Sequence, residues 1–451
     1  MKTFPFRRAI LATLLPVLAL LLLAAGRAPA AELDLDLKLG TPVVLAGRPE
    51  TAFLKVSLIA TAERQDDKAR VPVNVALVLD RSGSMAGAKM EHAKEAAILF
   101  IDRLQPEDIV SVITYESTVE VLIPATKVSD REELRGRIRA IQTANSTALF
   151  AGVSKGAAEV RKFLSQERVN RIVLLSDGLA NVGPSSPEAL AELGRSFAQE
   201  GIAVSTIGLG LDYNEDLMYK LAAASDGNAA FAEEPQELAK FFDRELRAVT
   251  EVVAGEVEVT LEVAEGIRPI RVLGDRGTIA GQTVSFSLNQ LYNNWENYFI
   301  VELALPAGEA GSERVVGTAK ASWLDIAASQ PRTSLATAAI LYTENESEVA
   351  AALVPDVIAS SVRLVAQENN RKAVALRDAG QIQQAQQVLF SNSGYINRSA
   401  ENLPAEYKKE LQELDETVRK NAVTIEQEGE WNRQRKQMNL DVQKDSYQLY
   451  Q

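Results

Sequence analysis

The chain is 451 residues long, too many for one ordinary core, so two or three domains are expected. Hydrophobic residues make up 46% and charged residues 24%, the balance of a folded globular protein, and a net charge of −13 argues against a nucleic-acid partner, whose phosphates need a basic surface. There is no cysteine, which excludes disulfides, thiol catalysis, zinc–thiolate sites and a lipid-modified N-terminal cysteine.

At the N-terminus, Lys2, Arg7 and Arg8 precede an almost wholly apolar stretch from Ala9 to Gly26, and Ala28-Pro29-Ala30 then offers a small-residue cleavage site. That order reads as a secretory signal peptide over residues 1–30, placing the mature protein in the periplasm or outside the cell. The alternative is an uncleaved inner-membrane anchor, because 18 apolar residues are long for a signal core and just short of a span. Membrane contact is expected only in that case.

Leu33, Leu35 and Leu37, then Leu54, Val56 and Leu58, alternate with polar residues, the period of strands with one buried face. At Val73 the pattern becomes a nearly continuous apolar run, and similar runs follow at 109–113, 172–175 and 202–207, as in strands buried on both faces. Between them Met90, Ala93, Ala97, Phe100, Ile101 and Leu104 share one helical stripe, as do Leu149, Val153, Ala157, Val160 and Leu164. Strands alternating with such helices predict an α/β unit over 72–250, a doubly wound, mainly parallel sheet closed by a helix from Pro235 to Val249. Alternation returns at Val257, Val259, Leu261 and Val263, then at 284–288 and 299–305. Residues 31–71 and 254–325 are therefore expected to form one β-sandwich-like domain with the α/β unit inserted into it. Residues 333–427 read as helices with Gly380 at a turn, and the Gln- and Asn-rich tail over 428–451 as a frayed end.

The segment Leu79-Asp80-Arg81-Ser82-Gly83-Ser84-Met85 lies where the first buried strand ends. Ligands bind outside the carboxyl ends of strands in open α/β sheets, and Gly83 permits a turn that brings Asp80, Ser82 and Ser84 round one point. Thr147 opens a helix in a later loop and Asp177 ends another buried strand, adding two more oxygen donors on the same edge. Five hard donors suit Mg²⁺, or Mn²⁺ or Ca²⁺. A capped helix start uses the same residue types as Asp80, Ser82 and Ser84 but does not call for Thr147 and Asp177.

Here residues 72–250 resemble the von Willebrand factor type A family, which includes the inserted domains of integrins. Its metal-ion-dependent adhesion site reads Asp-x-Ser-x-Ser, then a distant Thr, then a distant Asp, matched by Asp80, Ser82, Ser84, Thr147 and Asp177. The resemblance implies that one Asp acts through water, leaving a bound Mg²⁺ with an open position for an Asp or Glu of a partner protein. It also implies a last helix able to slide as the metal changes partners. Met85, Tyr115, Glu116, Asn181 and Asp212, on loops round the metal, are the expected partner-binding rim.

No catalysis is expected. His92 is the only histidine, and phosphate-loop, metalloprotease-helix and nucleophile-elbow elements are absent. Asp80-Arg81-Ser82-Gly83-Ser84 superficially resembles the phosphorylated Asp motif of cation-pumping ATPases, but Asp177-Gly178-Leu179-Ala180-Asn181 departs from the second motif of those enzymes. A Mg²⁺-dependent phosphoryl-transfer enzyme is thus a remote alternative. A nearer one is an assembly factor whose metal only stabilises the fold.

Overall fold

The computed structural model describes residues 31–62, 70–144, 147–178 and 182–447. The expected signal segment, Asn181 and residues 448–451 lie outside that set. Among the described residues no helix is long and apolar enough to cross a membrane.

The chain starts with β1 (Glu32–Leu39), β2 (Val43–Leu45) and β3 (Glu50–Thr61). β1 and β3 pair antiparallel from Glu32 opposite Thr61 to Leu39 opposite Leu54. The leucines of the alternating pattern all point into one core, and charged residues of β1 face out.

The α/β unit follows in chain order: β4 (Val73–Asp80), α1 (Ala88–Arg103), β5 (Ile109–Tyr115), β6 (Val119–Lys127), α2 (Arg131–Arg139), α3 (Leu149–Val160), β7 (Val169–Ser176), α4 (Pro187–Gln199), β8 (Ile202–Leu209), α5 (Glu215–Ala224), β9 (Ala229–Ala232) and α6 (Leu238–Thr250). Its sheet runs β6-β5-β4-β7-β8-β9, with only β6 antiparallel to its neighbour. β4, β5, β7 and β8 are buried at every residue, because helices cover both faces. Odd-numbered β4 residues from Val73 to Leu79 pack with α1, α2 and α6, while Ala76 and Val78 pack with α3, α4 and α5. Successive strands go to opposite sides of β4, so the crevice at its carboxyl end is the topological switch point.

The chain then returns through β10 (Val252–Val263), β11 (Arg268–Val272), β12 (Thr278–Ala280), β13 (Thr283–Tyr292), β14 (Trp295–Leu305), β15 (Glu313–Asp325) and β16 (Gln330–Thr343). Two sheets, β1-β3-β14-β11 and β12-β13-β10-β15-β16-β2, enclose a single apolar core. The start of the helical region needs correction: residues 333–343 belong to β16, which pairs with β15 along its length and extends the sandwich past 325. Helices begin with α7 (Glu346–Ala351) and continue as α8 (Pro355–Asp378), α9 (Ile382–Ala400), α10 (Ala405–Thr424) and α11 (Trp431–Tyr447). The tail is corrected too, since α11 is a helix whose Met438 and Val442 are buried. On the sandwich side α8 is held by Leu364, packed with Leu273, Tyr298 and Ile300, and by Asp356, 2.9 Å from the buried ammonium of Lys55.

Near the amino end of β7, Arg171 is 0% exposed. Its guanidinium donates to Ser205 on β8 at 2.9 Å, Glu245 on α6 at 3.0 Å, and Gln290 and Tyr292 on β13 at 2.8 and 3.0 Å. Glu245, also buried, accepts a further bond from Asn228 at 2.9 Å. The inserted unit, its last helix and the sandwich are thus joined through one charge. Arg171→Met, by removing the guanidinium counter-charge of the buried Glu245 carboxylate, is expected to destabilise the protein by about 3–5 kcal/mol. The double variant Arg171→Met, Glu245→Met should recover most of that loss in guanidinium unfolding, because no lone charge then remains.

Candidate metal centre

Five sequence-predicted ligands come to one place at the switch point. Asp80 ends β4 with 0% exposure. Its Oδ1 accepts the backbone N–H of Ser82 at 2.8 Å, and its Oδ2 accepts the hydroxyls of Ser176 at 2.9 Å and Tyr115 at 3.4 Å. Burial pushes its carboxyl up from the ordinary value, with the bonds from Ser82 and Ser176 opposing and the Asp177 charge adding to the rise. A short 3₁₀ turn over Gly83–Met85 then brings Ser84 Oγ to 3.0 Å from Ser82 Oγ. Ser84 in turn donates to Asp177 Oδ1 at 2.7 Å. Thr147 is brought in by its loop, for Ala144 N–H donates to Arg81 O and Ala148 N–H to Glu116 O, both at 2.7 Å. A Cβ added to Gly178 would stand 3.5 Å from Thr147 Oγ1 and 3.6 Å from Ser84 Oγ, so glycine leaves the space between the loops open.

The helix-capping role of this segment does not describe it: Ser82 makes no side-chain cap bond, and α1 starts after Gly87. Among the described residues no three or more His, Cys, Asp or Glu cluster as a metal group, so hydroxyls must complete any site built here. The arrangement fits a hard dication. Two buried carboxylates and the hydroxyls of Ser82 and Ser84 lie together with Thr147 nearby across Gly178, and a cation already sits against one carboxylate: Lys89 Nζ lies 2.6 Å from Asp177 Oδ2.

The rim needs two corrections. Met85 is fully buried in the core that packs α1 on the sheet, and Tyr115 is fully buried beneath Asp80, with its hydroxyl also 3.2 Å from Leu175 O. Met85 closes the short turn after β4 and Tyr115 is the last residue of β5, and both positions turn these large side chains inward, where burying apolar area is favourable. Glu116 folds back on its own turn, accepting hydroxyls from Ser117 and Thr118, which with Ser117 N–H hold its carboxyl down at about 2. Asp212 is exposed. Asn181 lies outside the described residues.

Lys89, Ser176 and the last helix were not foreseen at this edge. Lys89 stands at the start of an ordinary amphipathic helix, where no spacing rule marks it. Ser176 adjoins Asp177 but shows no separate signal. α11 reaches the loop after β8: Asn432 donates to Leu211 O at 2.9 Å, and Lys436 donates to Tyr213 O at 2.8 Å and pairs with Glu215 at 2.5 Å. Arg433 pairs with Glu233, past the end of β9, at 2.6 Å.

Residues 74–244 match the family model of the von Willebrand factor type A domain. An uncharacterised protein of Synechocystis is 30% identical over 233 residues, covering 52% of this chain and 54% of its own length. The human inter-alpha-trypsin inhibitor heavy chain H3 is 31% identical over 168 residues, 35% of this chain and 19% of its own. The chain therefore spans about half the length of the first of these relatives and less of the other. In fold, a von Willebrand factor type A protein from Catenulispora acidiphila matches 88% of this chain and 91% of its own with a TM-score of 0.68 at 16% identity. The ArnB paralog VWA2 from Sulfolobus acidocaldarius matches 92% of this chain and 98% of its own with a TM-score of 0.61 at 18% identity.

Because Lys89 neutralises one of the two carboxylates, it competes with any dication placed between them. Lys89→Met is expected to tighten Mg²⁺ binding by roughly tenfold. Calorimetric titration with MgCl₂ checks this, and unchanged or weaker binding would contradict it.

Proposed function

We propose, from the premise that residues 74–244 are a von Willebrand factor type A domain, that this chain captures an acidic side chain of a partner protein through a divalent cation. Mg²⁺ is the first choice, with Mn²⁺ and Ca²⁺ as alternatives. Asp80, Ser82, Ser84, Thr147 and Asp177 would hold it. A bound dication supplies a Lewis-acid anchor for one external carboxylate.

The observation that carries the reading is electrostatic. Asp80 and Asp177 are fully buried at one edge of the sheet, and among the described residues the charge in contact with them is the ammonium of Lys89, on Asp177. Desolvated carboxylates are costly unless paired, so this edge favours a cation of higher charge. Ser176, Tyr115 and the Ser82 N–H hold the Asp80 carboxylate in one orientation, which limits the reorganisation that binding requires. Partner recognition falls to the exposed residues round the edge, among them Asp212 and the loop braced by Asn432 and Lys436.

Binding rather than catalysis is proposed because the described residues at the edge include no histidine to serve as a general base. His92, the only histidine, lies on α1 with Glu95 at 3.2 Å. The compartment we propose is the periplasm or the cell exterior, as the order of residues 1–30 suggests, with a retained inner-membrane anchor as the alternative. In biosensor measurements with cell-surface or secreted proteins presenting Asp or Glu, EDTA and Asp80→Ala should each weaken capture by roughly 100-fold or more. Asp80→Ala must first show an unchanged melting profile without metal. Capture that survives both treatments overturns the proposal, and turnover of ATP or a phosphoester would favour an enzyme.

A further inference from the structure

Ala31 is 2% exposed and belongs to the sandwich core, one step before Leu33 on the inward face of β1. Its backbone nitrogen lies 3.0 Å from Oδ2 of Asp325, the last residue of β15. Asp325 is 0% exposed. Its Oδ1 accepts Ala328 N–H at 3.0 Å, and its Oδ2 also accepts Arg332 Nε at 3.1 Å, so the carboxylate closes the turn between β15 and β16. Arg332 is partly exposed and keeps access to water. The residue just before this contact is Ala30, which ends the Ala28-Pro29-Ala30 cleavage pattern.

We propose that the chain is cut between Ala30 and Ala31, and that the α-ammonium released on Ala31 is a structural group, forming an internal ion pair with Asp325 that completes the sandwich. The cut is a hydrolysis. Water adds across the peptide bond, Ala30 keeps the new carboxylate and Ala31 the new amine, and a leader peptidase selective for small residues acts in trans. The amine then takes up a proton, since an α-amino group titrates at about 7.7–8.0. Before the cut, Ala31 offers Asp325 one neutral N–H. After it, the same nitrogen carries a full positive charge and three donors, and a charge-assisted bond is roughly twice as strong as a neutral one. Asp325, at 0% exposure, keeps its side of the pair from the screening that makes surface ion pairs weak. Folding of the sandwich and removal of the leader are coupled in this way. The inference rests on the export reading above but not on the metal reading.

The test uses full chains with defined starts, released from a cleavable fusion: one beginning at Ala31, one at Ala30, and one at Nα-acetylated Ala31. The chain starting at Ala31 should melt highest, with the other two lower by about 2–4 °C. Asp325→Asn should remove the difference among the three. Should that variant not fold, ¹³C-formaldehyde methylation serves instead, and the α-amine of the Ala31 start should react at least tenfold more slowly than that of the Ala30 start. In an exporting bacterium, mass spectrometry of the mature protein should find Ala31 first. Equal melting of the three starts, equal labelling rates or a mature N-terminus at another residue would each overturn the proposal. None of these readouts involves metal or partner, so failure here and failure of the adhesion reading are separable.

Discussion

A guanidinium with no access to water has to find all its partners inside the protein. The two terminal nitrogens of Arg171 find theirs on β8, α6 and β13 at once, and no two of those elements are adjacent in the sequence. The arrangement of the inserted domain on its host is therefore discrete: displacing any one element leaves a buried charge or donor unmatched. This bears on the sliding last helix that the family resemblance implies. Glu245 sits on α6, and moving it by a helical turn would take it from Arg171, Ser205 and Asn228 together. Movement of α6 in this chain has to offset that loss with new partners for Glu245.

The opposite edge of the same sheet follows a different electrostatic rule. Arg171 and Glu245 balance one another, whereas among the described residues Lys89 pairs with Asp177 and no ion pair is made by Asp80. Hydrogen bonds from Ser82, Ser176 and Tyr115 keep Asp80 ionisable in a desolvated position without neutralising it. One sheet thus carries a closed polar junction at its amino ends and an unbalanced anionic site at its carboxyl ends. The first gives the second a fixed frame.

The helical region ties the far end of the chain to that anionic edge. Lys436 is almost fully buried over the Tyr213 ring, with Glu215 as its counter-charge, and Arg435 pairs with Asp216 and with Asp378 of α8, both at 2.8 Å. The loop at 211–216 is therefore shaped by a helix more than 200 residues later. Since α8 also docks on the sandwich, through Lys55 and Asp356, all three parts of the molecule meet round the inserted domain.

The amino-acid sequence by itself determined the elements whose signal is local. Continuous apolar runs marked β4, β5, β7 and β8, and alternation marked β1, β3, β10 and β14, because burial on two faces or one leaves its period directly in the residues. Asp80, Ser82 and Ser84 were legible as neighbours because they share one turn, Asp177 because it follows the end of a buried strand, and Thr147 because it precedes a helix on the same edge. Only the tertiary structure decided the rest. A position at a strand end or in a turn does not say which way a side chain points, so Met85 and Tyr115 read as rim when they are core. The Ala- and Thr-rich stretch of β16 is a strand because β15 offers it a full ladder, and α11 is ordered because Arg435, Lys436, Met438 and Val442 find partners or cover elsewhere in the fold. Pairing across long sequence separation depends on where other elements dock, and neither composition nor period carries that information.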